Sequence, residues 1–192
     1  MGSQELAKEM EAKHPSLYVL NSRALQPLLT KIRDRATTHM QFKHYSDRLM
    51  RILAEEGLAS CASTTTTVVT PTGDSVTGVA PAESMYLSIR AAGKILIQRD
   101  ESSEDKHAVM YYSKLPPNVA TFKNVLVVDP MLGTGGSITM AIKGLDALFA
   151  AHPDVKVVTA GVDRGLNNAK YLTPGIGDFG DRYFNTVHSH HP

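Results

Sequence analysis

Apolar residues recur at two spacings along this chain, and the change from one to the other divides it. In "NSRALQPLLTKIRDR", Leu25, Leu28, Leu29 and Ile32 fall three and four residues apart, which places them on one face of a helix with Ser22 as a candidate cap. "TTHMQFKHYSDRLMRILAEEGLA" keeps that period: Phe42, Tyr45, Leu49, Ile52 and Leu53 form one stripe, and Gly57 supplies a stop. The opening "MGSQELAKEMEAKHPS" permits a helix but shows no apolar face, so residues 1–20 are expected to be a flexible arm, as are residues 187–192. From "CASTTTTVVTPTGDSVTGV" onwards, β-branched residues flank the turn-forming "PTGD", the pattern of a hairpin. "KILIQ", "AVMYYS", "NVLVV" and "VKVVTAG" read as further strands, with an amphipathic run, "ITMAIKGLDALF", before the last. Strands alternating with helices predict one α/β domain over residues 1–192, its central sheet mostly parallel and flanked by helices.

Two connections break this pattern. "VTGVAPAESMYLSIR" takes a hairpin strand into a helical pattern through only "APA", and "AIKGLDALFAAHPDV" runs from helical residues into more helical residues where a buried strand is due. Stretches absent near Ala80–Ala82 and Lys143–Gly144 would account for both.

Composition narrows the class. A chain of 192 residues, 42% hydrophobic, can bury about 70% of its unfolded surface around one core. Twenty Lys and Arg against nineteen Asp and Glu leave no field that would favour nucleic acid or an anionic membrane. The single cysteine, Cys61, cannot form an internal disulfide, and no apolar run approaches the roughly 20 residues of a membrane span, so a soluble, cytoplasmic protein is expected. His188, His190 and His191 in "VHSHHP" lack an acid or cysteine to complete a closed metal site and read as a solvated tail.

The candidate chemistry lies in "DPMLGTGGS". An apolar strand ends at Asp129; Gly133, Thr134, Gly135, Gly136 and Ser137 follow, then a helix, so N–H groups and hydroxyls gather around a helix N-terminus that can hold an anion. The loop is not a Walker A sequence, since no Lys precedes Ser137, and it is not G-x-G-x-x-G, since Ile138 takes the last glycine position. A Gly-rich turn that binds nothing is the plain alternative. A strand-end carboxylate beside a phosphate cradle suits a sugar phosphate.

"VLVVDPMLGTGGS" resembles the phosphoribosyl diphosphate signature of the uracil phosphoribosyltransferase family. "GKILIQRDE" and "PGIGDFGDRYFNT" resemble two further signatures in the expected order, and "YYSKLP" and "VVTPTGD" resemble intervening segments, so the likeness runs from about Leu25 to Thr186. The resemblance implies a phosphoribosyltransferase type I-like fold with an N-terminal helical segment, a β-hairpin arm and a C-terminal uracil-binding loop. It implies that uracil and 5-phosphoribosyl 1-diphosphate give UMP and diphosphate in pyrimidine salvage, through a ribosyl oxocarbenium-like transition state stabilised by position and charge. By the same likeness, Asp129 contacts the ribose hydroxyls, Thr134, Gly135, Gly136 and Ser137 hold the 5-phosphate, and Pro130, Met131, Leu132 and Gly133 belong to the same phosphoribosyl diphosphate-binding loop. Arg99 contacts the diphosphate, Asp178 reaches the phosphoribosyl ligand through magnesium or water, and Leu172, Gly177, Asp178 and Phe179 hold uracil. Arg99, Asp129 and Asp178 are thus the candidate catalytic residues, with Asp181 a weaker candidate acid.

Mg²⁺ is implied as the diphosphate's companion, with no protein ligand directly assigned. GTP is a candidate activator, and a homodimer or homotetramer is the implied assembly, with the Thr-rich hairpin as the candidate contact arm. The chain departs from the family where the pattern broke: "APAESM" lacks the arginine and the strand that precede it in relatives, and a second strand is missing before "GLDALF". That missing arginine keeps one alternative open, a non-catalytic relative that binds phosphoribosyl diphosphate or a nucleotide as a sensor.

Overall fold

The computed structural model describes residues 3–61, 63–81, 94–99, 108–118, 121, 125–129, 140–167 and 172–186. They cluster into two compact units, one of residues 1–56 with 128–192 and one of residues 57–127.

The first unit is assembled from both ends of the chain. Helix α1 (Ser3–Lys13) leads to strand β1 (Leu17–Val19), which pairs in parallel with β6 (Val157–Thr159) in the register Leu17↔Val157 to Val19↔Thr159. Leu6 and Met10 of α1 pack with Leu17, Val19, Val162 and Leu145, the last from the helix α4 (Met140–Ala151). The expectation of a flexible arm over residues 1–20 therefore does not hold from Ser3 to Leu20. Leu6 and Met10 stand one helical turn apart, enough for a narrow buried stripe. Polar contacts add to it: Lys13 Nζ donates to Asp146 Oδ2 at 2.6 Å, His14 Nε2 lies 2.5 Å from Asp146 Oδ1, and the Val19 N–H donates to Glu11 Oε1 at 2.7 Å.

Helix α2 (Leu25–Arg33) buries Leu25, Leu28 and Ile32, as its period requires. Ser22 does not serve as its N-cap. Ala24 takes that position, and Ser22 closes the preceding turn by accepting the Ala24 N–H at 3.2 Å. Helix α3 (His39–Ala59) begins with reciprocal bonds between Thr38 and Gln41, Gln41 N–H to Thr38 Oγ1 and Thr38 N–H to Gln41 Oε1, a capping box. Gly57 does not stop this helix, which runs on to Ala59; the glycine is outside the left-handed region, so it ends nothing.

In the second unit, β2 (Ser63–Val69) and β3 (Ser75–Pro81) form the expected hairpin, paired from Ser63↔Pro81 to Val69↔Ser75 around Gly73 at φ +92°. Strands β4 (Lys94–Arg99) and β5 (Ala108–Lys114) pair antiparallel with an irregularity at Leu96/Ile97. "NVLVV" was expected as a strand; residues 125–129 instead join no ladder among the described residues, and Val125, Leu126, Val127 and Val128 are exposed. The described sheets are all two-stranded, with β1–β6 the parallel pair.

Candidate functional site

A short antiparallel pair frames the C-terminal loop. Strand β7 (Gly165–Leu166) meets β8 (Leu172–Thr173) with Gly165 opposite Thr173, and the Arg164 N–H donates to the Thr173 carbonyl at 3.0 Å. The chain then turns through a cis Thr173–Pro174 peptide, Gly175 at φ +62° and Gly177 at φ +74°. Only glycine suits position 175, because a Cβ there would lie 2.1 Å from the Leu172 carbonyl oxygen in a backbone conformation that side chains disfavour. At Asp178 the backbone returns to an extended conformation and opens the helix α5 (Phe179–Phe184). The Asp178 carboxylate accepts the Asp181 N–H at 2.9 Å, an N-cap that holds its side chain over the first turn. Asn185, left-handed at φ 57°, closes the other end, and Asp181 is engaged there: Thr186 Oγ1 donates to Asp181 Oδ1 at 2.8 Å.

Two side chains tether this loop to the end of α2. Asp163 accepts the Gly175 N–H on Oδ2 at 3.2 Å and the Arg33 guanidinium on Oδ1 at 2.6 Å. Arg182 Nη1 donates to the Ile176 carbonyl at 2.7 Å and to the Ile32 carbonyl at 2.5 Å, while Nη2 donates to the Asp34 carbonyl at 2.8 Å. Burial draws the Arg182 guanidinium below its ordinary pKa, and the charge of Asp34 opposes that shift.

The same guanidinium lies 4.1 Å from the centre of the fully buried Phe42 ring. Phe179 packs between rings, tilted against Phe42 at 5.6 Å and stacked on Tyr183 at 5.2 Å. The Tyr183 hydroxyl donates to Asp47 Oδ1 at 2.5 Å and accepts from Lys43 Nζ at 3.0 Å; Lys43 also donates to Asp47 Oδ2 at 2.8 Å. Hydrogen bonds from Lys43 and Tyr183 hold the Asp47 carboxyl below the usual carboxylate range, and the same contacts raise Lys43. Helix α5 is thus fastened to α3, and the loop before it to α2.

Comparison with known proteins assigns this architecture. The sequence matches the family described as Uracil phosphoribosyltransferase over residues 19–91, 84–146 and 142–186. The chain belongs to the uracil phosphoribosyltransferase family. Uracil phosphoribosyltransferase of Dictyostelium discoideum is 39% identical, over 84% of this chain and 92% of that protein. Its counterpart in Saccharomyces cerevisiae is 37% identical, over 88% of this chain and 96% of that protein. Among solved structures, the AQ2163 protein from Aquifex aeolicus superposes with a TM-score of 0.64 at 23% identity, covering 88% of this chain and 97% of that one, which shows the shared α/β fold.

The family match breaks where the strand pattern broke, its pieces meeting at 84–91 and 142–146. The Dictyostelium alignment spans 202 positions, whereas 84% of 192 residues is about 161, so about 40 positions of that alignment have no residue in this chain.

Leu172, Gly177, Asp178 and Phe179 stand together on one loop and the first turn of α5. Phe179 turns its ring into the aromatic cluster, leaving its backbone as the group that can face a ligand. Asp129 is exposed at the end of the stretch 125–129, which has no regular secondary structure. Pro130, Met131, Leu132, Gly133, Thr134, Gly135, Gly136 and Ser137 lie outside the described residues. Arg99 is the last residue of β4, opposite Ala108, and belongs to the second unit, whereas Asp129 and the C-terminal loop belong to the first. Reading the sequence did not single out Asp163, Arg182, Arg33, Asp47 or Tyr183. For Arg182 and Tyr183 a local signal exists in the charge and aromatic content of "DRYF" after the loop; Asp163, Arg33 and Asp47 have none.

Proposed function

We propose that this chain transfers the phosphoribosyl group of 5-phosphoribosyl 1-diphosphate to uracil, releasing UMP and diphosphate in pyrimidine salvage. The observation that carries the reading is the loop at residues 172–178, wound by Gly175 and Gly177 and held from both sides, because uracil alternates carbonyl acceptors with an N–H donor and needs a fixed polar edge to be told from cytosine. Leu172, Gly177 and Phe179 offer backbone groups for that edge. Asp178, capped over α5, keeps a carboxylate at the side of the loop where the sugar would lie.

In this reading Asp129 accepts the ribose hydroxyls, and the N–H groups and hydroxyls of residues 133–137 hold the 5-phosphate. Arg99 offers a planar fork of donors to the diphosphate. As the bond from C1 of ribose to the diphosphate breaks and the bond to the uracil ring nitrogen forms, that nitrogen releases its proton to the departing diphosphate or to water. Positive charge on the ribosyl group and negative charge on the leaving group are both met by fixed partners, so the barrier falls without a covalent nucleophile. The donor set is oxygen-rich, as a hard cation prefers, and among the described residues no three His, Cys, Asp or Glu converge on a common point. Mg²⁺ would arrive with the diphosphate, with Asp129 and Asp178 as candidate partners, and it would neutralise the leaving group's charge.

Among the described residues no helix is long and apolar enough to cross a membrane. A cytoplasmic enzyme fits the lone Cys61. Val68, Val69, Val76 and Val79 are exposed on the β2–β3 hairpin and support its use as a contact arm in a homodimer or homotetramer. Incubation with Mg²⁺, phosphoribosyl diphosphate and uracil, cytosine or hypoxanthine tests the proposal: UMP formation from uracil alone is expected, and GTP added to the same assay tests activation. Ligand binding without turnover would favour the sensor.

A further inference from the structure

We propose that Arg182 is a positioning residue for the base: together with Asp163 it fixes the Gly175–Ile176 backbone to the end of α2, and so sets uracil affinity without touching uracil. This rests on the assignment of residues 172–179 as the uracil loop.

The loop cannot hold its own shape. Ile176 sits between two glycines at positive φ, which supply no side chains to pack and the largest conformational freedom to restrain. Restraint must come from outside, and it arrives on opposite polar groups of adjacent residues. Asp163 takes the Gly175 N–H and Arg182 takes the Ile176 carbonyl. Both tethers end at the same place: Asp163 is paired with Arg33, and Arg182 donates to the carbonyls of Ile32 and Asp34.

The end of α2 suits this use because the last carbonyls of a helix lack intrahelical donors, so Ile32 has an acceptor to offer. Arginine suits it because a planar guanidinium can address three carbonyls at once, whereas a lysine ammonium on its flexible stem cannot reproduce that fork. The Phe42 ring at 4.1 Å fixes the plane of the guanidinium. A scaffold residue would lower stability and depress every kinetic constant together. A positioning residue moves the constant of the ligand whose edge it aligns.

The experiment compares Arg182→Lys and Arg182→Met with the parent chain, measuring KM for uracil, KM for phosphoribosyl diphosphate, kcat and the thermal midpoint. Uracil KM is expected to rise about tenfold in Arg182→Lys and further in Arg182→Met, with the phosphoribosyl diphosphate KM within about twofold in both. Asp163→Asn, acting on the other tether, is expected to shift the same constant in the same direction. An unchanged uracil KM in a folded Arg182 variant, or both KM values rising in proportion, overturns the proposal. If neither Arg182 variant folds, the residue belongs to the scaffold and the proposal fails. A structure with UMP bound separates the two readings: uracil away from residues 172–179 sinks the loop assignment, while uracil on the loop with unshifted KM values sinks only the role of Arg182.

Discussion

Gly175 stands so close to Leu172 that a Cβ on the glycine would meet the Leu172 carbonyl oxygen at 2.1 Å, with the carbonyl carbon at 2.9 Å. Backbone atoms cannot yield as a flexible side chain can, so Gly175→Ala must reopen the turn. We expect a loss of about 1–3 kcal/mol of stability, the usual range for forcing a side chain into a disfavoured backbone region, and a uracil KM raised at least about tenfold. Thermal unfolding and initial rates check both. A variant with parental values would show that the turn does not govern the base.

The two acids have separable tasks. Asp129→Asn and Asp178→Asn are each expected to lower kcat/KM by at least about tenfold, equivalent to about 1.4 kcal/mol of barrier. Asp178 also caps α5, and asparagine remains a good cap, so the thermal midpoint of Asp178→Asn should stay close to that of the parent. Parental rates in both variants would remove these acids from the site.

Asp146 links α4 to the end of α1 and should make the first unit acid-sensitive. The hydrogen bond from Lys13, followed by that from His14, holds its carboxyl below the usual carboxylate range, against the effect of burial. Because the folded group is the stronger acid, its contribution is fully present above the unfolded pKa of about 4 and fades as pH falls through the lower folded value. The pair is partly exposed, so a contribution of about 1 kcal/mol or less is expected. Melting curves from pH 7 to 2 should show Asp146→Asn less stable at neutral pH and converging with the parent in acid. Parallel curves would refute the linkage.

The bare stretch 125–128 points to the protein's true length. Val127 and Val128 are each 81% exposed, an improbable environment for a run of four apolar residues, and the family match breaks on either side of them. We expect the intact mass of the protein from its natural source to exceed 20.8 kDa. A measured mass of 20.8 kDa would show that no residues are missing between the matched stretches.

What could be read from the sequence was what depends on near neighbours. Helix α2 was legible because its burial follows a single turn-by-turn stripe, α3 because its apolar residues keep a helical period although only Phe42 of them is fully buried, and the β2–β3 hairpin because its turn residues are local. Asp178 and the loop glycines came only from the family resemblance, since "GIGDFG" by itself reads as an ordinary turn. Helix α1 was missed because two residues, Leu6 and Met10, carry its burial, and such a short stripe is hard to tell from chance. Arg182 was missed because its partners Ile32 and Asp34 lie 150 and 148 positions away, beyond any spacing rule. Asp163 was missed likewise, 130 positions from Arg33.

The pairing of Leu17–Val19 with Val157–Thr159 has a consequence for biosynthesis. The helix that carries Leu6 and Met10 is synthesised long before its partners Leu145 and Val162. Until those two residues emerge, only Leu17 and Val19 of the native partners are present to cover that face. The core of the first unit can close only after Val162 has been synthesised, so its apolar face stays incompletely covered through much of elongation.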